Sequence, residues 1–119
     1  MFGITTTIRI FLAVQPTDMR KGLDGLAQLA REVLEQNPLS GHFFVFRNRK
    51  RDRIKILYWD RDGYAVWMKR LEKGTFRFPA AKEGRVEVTP AEMAAVLEGL
   101  DLSRARRLPR FVLPVPQPA

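Results

Sequence analysis

The chain has 119 residues, the size of one ordinary domain, and 45% of them are apolar, the share of a folded chain rather than a disordered one. It holds no cysteine and one histidine, which excludes disulfides, thiolate metal sites, cysteine nucleophiles and multi-histidine metal centres. The formal charge is +8 and unevenly placed: residues 1–46 carry four bases and four acids, residues 47–77 eleven and four, residues 78–119 six and five, so the excess sits in one central stretch.

Ile4 to Val14 is predicted as the first strand. Ile8, Ile10, Leu12 and Val14 alternate with Thr7, Arg9, Phe11 and Ala13, giving one strongly apolar face, and Pro16 ends the run. A helix is expected next, capped by Thr17 or Asp18, with Leu23, Leu26, Ala30, Val33 and Leu34 on its apolar stripe and Asn37-Pro38 at its end. Gly22 and Gly25 each cost such a helix up to about 1 kcal/mol against alanine. Either the first turn is irregular or another backbone comes close there.

Residues 43–78 read as an antiparallel meander. Phe43 to Phe46 is a strand, Asn48 to Asp52 a polar hairpin tip, Arg53 to Trp59 a second strand, and Asp60-Arg61-Asp62-Gly63 a turn. Tyr64 to about Leu71 is the third strand, and Thr75 to Phe78 is expected as a fourth. Arg85 to Val88 forms a short strand. Thr89 then caps a helix with Pro90 at its first position and Glu92 completing a capping box; Met93, Val96, Leu97 and Leu100 make its apolar face. The pattern predicts an α+β fold, a mostly antiparallel sheet or β-meander with two helices packed on one face. Residues 1–103 are expected as one domain and 104–119 as a basic, proline-bearing, mobile tail. Nothing reaches the run of about 20 apolar residues that crosses a bilayer. The start lacks the basic region of a signal peptide, so the cytoplasm is expected and a membrane is not.

The charge concentrates where the meander turns. Arg47, Arg49, Lys50, Arg51, Arg53 and Lys55 fall within residues 47–55, opposed only by Asp52. Alternation puts Arg53, Lys55, Leu57 and Trp59 on one face and Ile54, Ile56 and Tyr58 on the other. With Asp62-Gly63 as a two-residue turn, Trp59 opposes Val66 and Lys55 opposes Arg70. The first face is then basic at one end and carries an exposed Trp59. Guanidinium groups grip phosphates bidentately, an exposed indole stacks on an unpaired base, and a basic ribbon fits a major groove. Arg47, Arg49, Lys50, Arg51, Arg53, Lys55, Trp59 and Arg70 are therefore the expected nucleic-acid contacts. The competing reading is a charged edge that discourages strand-to-strand aggregation.

Other constellations carry less. Asp60 and Asp62 flank Arg61 but make no complete metal site, since no third carboxylate is placed beside them; turn chemistry accounts for both. His42 has no serine or cysteine partner and is assigned a structural place. Gly22-Leu23-Asp24-Gly25 lacks phosphate-loop spacing. Trp67, Phe43, Phe46, Phe76 and Phe78 are assigned to the core. No catalytic residue, cofactor or metal is expected. Arg20 and Lys21 stand in the first turn of the expected helix, where cations oppose the macrodipole. Two explanations stay open: pairing with Asp18 or Asp24, or holding an anion or a partner's carboxylate at the helix start.

A series of short motifs runs in order along the chain: Thr17-Asp18-Met19-Arg20-Lys21-Gly22, Asp24-Gly25-Leu26, Ser40-Gly41-His42, Val45-Phe46-Arg47-Asn48, Lys55-Ile56-Leu57-Tyr58-Trp59-Asp60, Asp62-Gly63, and Lys69 to Gly74 with Phe76. Together they resemble the TnpB-type accessory proteins of bacterial insertion sequences of family sixty-six, the products of the second open reading frame. These are distinct from the RNA-guided nucleases that share the TnpB name. The resemblance spans about residues 5–100. It implies a role in transposition beside a separate transposase and brings no catalytic residues. The expectation is a non-catalytic accessory protein that binds element-end DNA, the transposase, or both. The alternative is an adaptor whose basic ribbon meets an acidic protein and touches no DNA; a nuclease or phosphoryl transferase is the third, least supported reading.

Overall fold

The computed structural model describes residues 7–98. Five strands and two helices follow in the order β1 (Ile10–Ala13), α1 (Leu23–Glu32), β2 (Phe43–Arg47), β3 (Arg53–Asp60), β4 (Gly63–Arg70), β5 (Arg85–Val88) and α2 (Pro90–Leu97). They form an α+β fold with one sheet in the order β4-β3-β2-β1-β5. Every pairing is antiparallel except β1 with β2, which run parallel with α1 as their crossover. Ile4 to Thr6, Leu100 and the tail 104–119 lie outside the described residues.

The helices do not share a face, which corrects the expected packing. Phe11, Ala13, Phe44, Phe46 and Leu57 point to one side and pack on Leu26, Ala27, Ala30 and Leu34 of α1 and the turn after it. Ile10, Leu12, Val45, Ile54, Ile56 and Val88 point to the other and pack on Met93, Ala95 and Val96 of α2. The reason lies in β1 and β2, whose apolar runs are continuous rather than alternating. Such runs belong to strands buried on both faces. Phe11 and Ala13 are as buried as Ile10 and Leu12.

Three further expectations are revised. The segment 75–78 is extended but joins no ladder. Phe76 and Phe78 turn inward beneath β3, on the α2 side, while the Phe76 N–H donates to the Arg51 carbonyl at 2.7 Å. The segment thus crosses a face of the sheet instead of extending its edge. The β3–β4 turn is Arg61-Asp62, because Asp60 pairs with Gly63 and Trp59 with Tyr64. This shifts the register by two residues, which preserves the facing of every side chain. Arg61 adopts φ 57° to close that turn. Trp67, expected in the core, is 42% exposed, and Met68 is 55% exposed; both stand on β4, the edge strand of the sheet.

The α2 cap forms as the sequence predicts. Thr89 Oγ1 accepts the Glu92 N–H at 3.1 Å, and a Glu92 carboxylate oxygen accepts the Thr89 N–H at 2.9 Å. α1 starts later than expected, at Leu23, with Gly22 as N-cap and no side-chain cap. It also ends earlier, at Glu32, and Glu35 with φ 55° turns the chain away. His42 has the structural place assigned to it: its Nδ1 accepts the Arg9 N–H at 3.0 Å. No helix among the described residues is long and apolar enough to cross a membrane.

Candidate nucleic-acid interface

The β2–β3 hairpin tip is organised by two polar side chains. Asn48 Oδ1 accepts the Arg53 N–H at 3.0 Å, and its Nδ2 donates to Asp52 Oδ1 at 2.7 Å. The Asn48 hydrogen bond lowers the Asp52 pKa, and the nearby Arg53 and Lys50 cations act in the same direction. Backbone bonds from Asn48 N–H to the Arg53 carbonyl and from Arg51 N–H to the Asn48 carbonyl complete the turn. Arg51 takes φ 63°, a left-handed conformation that disfavours residues with a Cβ by about 1–2 kcal/mol. The tip is therefore fixed by Asn48, Asp52 and backbone, and the side chains of Arg49, Lys50 and Arg51 are left exposed.

Ion pairing separates these cations from several of the other arginines. Arg9 pairs with Glu87 at 2.6 Å, Arg20 with Asp18 at 2.8 Å, Arg70 with Glu72 at 3.0 Å and Arg85 with Glu35 at 3.2 Å. Arg49, Lys50, Arg51 and Arg53 form no ion pair among the described residues. Arg53 lies directly opposite Arg70 in the β3–β4 ladder, so two like charges share one face of the sheet. A like pair directly opposite is destabilising. The arrangement is physically apt for an external anion.

The remaining expected contacts divide. Arg47 is a correction: it is 6% exposed, with its guanidinium donating to the Phe76 carbonyl at 2.9 Å and the Val14 carbonyl at 3.3 Å and lying 4.0 Å from the Phe78 ring centroid. Burial, and behind it the neighbouring Arg51 cation, pull its pKa down to about 10, so it remains charged at neutral pH. It cannot reach duplex as a free surface group. Lys55 is also drawn inward, its Nζ donating to the carbonyls of Met19 at 2.8 Å and Lys21 at 3.2 Å. Trp59 is half-buried and meets Tyr64 edge to face at 5.1 Å, so it is not the freely exposed stacking ring expected. Arg49, Lys50, Arg51, Arg53 and Arg70 keep the exposed positions predicted for them.

Lys55 ties a second motif to the ribbon. The Thr17–Lys21 segment precedes α1 instead of forming its first turn, and the Thr17 N–H donates to the Arg47 carbonyl at 2.8 Å. Asp18 Oδ1 accepts the Arg20 N–H, while the Arg20 guanidinium grips both carboxylate oxygens at 2.8–3.1 Å. The side-chain bonds from Arg20, and next its N–H, hold the Asp18 pKa down from 3.8 to about 2. Of the two explanations for Arg20, the structure has the pairing. Asp18 and Met19 then form one wall of a cleft of about 350 Å³ whose other wall is Asn48, Arg49, Lys50 and Arg53. Sequence separation hides this adjacency of the two motifs; their only shared sequence signal is the lysine at 55, which reads as another ribbon cation. Gly25 follows from the same turn, because a Cβ there would come within 3.3 Å of the Lys21 Cβ.

Asp60 and Asp62 stand in the opposite turn. Asp60 lies 3.9 Å from Arg61, and no group of three or more acids or histidines among the described residues is arranged to hold a metal.

Comparison with known proteins agrees with this set of motifs. The family model described as IS66 Orf2 like protein matches residues 8–107. Two relatives from Sinorhizobium fredii (strain NBRC 101917 / NGR234) are each 39% identical to the chain. Uncharacterized protein y4jC matches over 92% of this chain and 93% of its own length, and Uncharacterized protein y4hO over 79% and 82%. No solved structure matches. The chain belongs to the IS66 Orf2-like family of insertion-sequence-associated proteins.

Proposed function

We propose that this chain is a non-catalytic accessory protein that assists transposition by binding the DNA of its element through the hairpin end of the sheet, alone or together with the transposase. The observation that carries the reading is the group of four cations, Arg49, Lys50, Arg51 and Arg53, with no ion pair among the described residues, at the end of the sheet where Arg53 also faces Arg70. Cations left without acids on a rigid turn neutralise phosphates and release condensed counterions. Arg9, Arg20, Arg70 and Arg85 are each paired with an acid, whereas these four cations lie together on one turn without one.

A pull-down of the purified chain with labelled element-end duplex, with and without the transposase, tests this. Capture by duplex alone, competed by excess unlabelled duplex, is the expected result. Capture that requires the transposase and resists competing duplex favours the adaptor reading, in which the same cations meet an acidic protein surface. Strand cleavage in magnesium or manganese, abolished by Asp60→Asn, contradicts the non-catalytic assignment.

A further inference from the structure

A second cleft lies behind the hairpin tip, between the base of β2 and the segment 75–80. Its volume is about 450 Å³, and Val14, Arg47, Arg51, Thr75, Arg77 and Phe78 line it. Three arginines converge on one concavity. Arg47 is the informative one. It is buried, and both partners of its guanidinium are carbonyl oxygens, with no described carboxylate in an ion pair with it. The Arg51 cation acts on it from nearby.

Such an arrangement is costly for the chain alone. Desolvating an ion costs several kcal/mol, and a like charge at short range adds to that cost. A buried arginine is ordinarily compensated by an acid, and here the chain places a second arginine and an open volume. The walls are fixed beforehand: the Arg51 carbonyl accepts the Phe76 N–H, so hairpin tip and crossing segment are joined across the cleft. Stacking on Phe78 holds the Arg47 plane, and the guanidinium has N–H donors beyond those given to Phe76 and Val14. Planar guanidinium groups match the oxygens of a phosphoryl group, and the apolar wall of Val14 and Phe78 matches the organic part of an ester.

We propose that this cleft binds a phosphate ester, its phosphoryl oxygens held by Arg47 and Arg51. The ester is either the terminal phosphate of a nucleic-acid strand or a free nucleotide; both present the same group. This site is separate from duplex binding by the tip, with which it shares Arg51 alone.

Calorimetric titration at fixed ionic strength tests it, with adenosine 5′-monophosphate, inorganic phosphate and adenosine as probes. Saturable binding of the monophosphate and of phosphate, with none of adenosine, is expected. Arg51→Gly suits the left-handed backbone and retains the carbonyl that Phe76 uses. It should weaken the monophosphate by about tenfold or more, the worth of one charge-assisted hydrogen bond. Arg49→Ala with Lys50→Ala should leave that affinity within about twofold while weakening duplex. An oligonucleotide with a 5′-phosphate that outcompetes both the monophosphate and its unphosphorylated counterpart identifies a strand end as the source; a monophosphate that binds as tightly identifies a free nucleotide. Absence of saturable binding overturns the proposal. So does binding indifferent to Arg51→Gly, or lowered equally by the Arg49 and Lys50 changes, which would reveal only a diffuse positive field.

Discussion

Replacing Arg49 and Lys50 by alanine and Arg51 by glycine removes three exposed cations that form no ion pair among the described residues. Glycine is the apt choice at 51, where φ is 63°. The tip itself is held by Asn48, Asp52 and backbone bonds, none of which the substitutions remove. Stability should therefore fall by no more than about 0.5 kcal/mol, as for other surface substitutions, and relief of the left-handed backbone at 51 acts in the opposite direction. Each phosphate contact contributes about 0.9 to the slope of log affinity against log salt, so three lost contacts flatten it by up to about 2.7. Extrapolated from 1 M salt, that slope difference is about 500-fold in affinity at about 0.1 M salt. Fluorescence anisotropy of a labelled element-end duplex, titrated at four or so salt concentrations, measures both quantities. A variant that melts like the parent and keeps its slope and affinity refutes the assignment of the hairpin tip.

Three further outcomes follow from the geometry. Asp18 should titrate near 2 by carbon-detected NMR and return toward 3.8 in Arg20→Ala; because its folded pKa is lowered, the stability from this pairing is complete above about 4 and is lost as pH falls through about 2. Thr89→Ala breaks the capping box of α2 and should cost about 1 kcal/mol, or a melting temperature lower by about 4–8 °C. Lys55→Met removes the two bonds to the Met19 and Lys21 carbonyls; it should lower the melting temperature and raise hydrogen exchange in residues 17–22 selectively, whereas a uniform rise would contradict the clamp.

Local chemistry is legible wherever the signal lies within a few residues. The Thr89-Pro90-Glu92 cap, the three meander strands and the exposed tip follow from short-range rules. The placement of the helices does not follow from α1's stripe alone. It is written in the continuous run Ile10 to Ala13 and in Phe43 to Phe46, which alternation arguments read as single-faced. The burial of Arg47 is not legible, because its partners, the Val14 and Phe76 carbonyls and the Phe78 ring, come from distant segments. In the sequence it is one more arginine beside a basic tip. The same holds for Lys55, whose acceptors are backbone carbonyls that carry no residue-type signal. Arg20 lies outside the helix expected to hold it because Gly22, rather than Thr17 or Asp18, begins α1; two glycines within four positions are the available hint. Asp18 instead closes a turn upon Arg20, as aspartate commonly does.

In the proposed function, nucleic acid meets the hairpin end of the sheet. Amide chemical-shift mapping of the full chain with element-end duplex tests it most directly. The largest shifts should fall on residues 48–53, with Asp18 to Lys21 and Arg70 beside them, while α2 and β5 stay still. Largest shifts on α2 and β5, or no saturable shift at any duplex concentration, would contradict it.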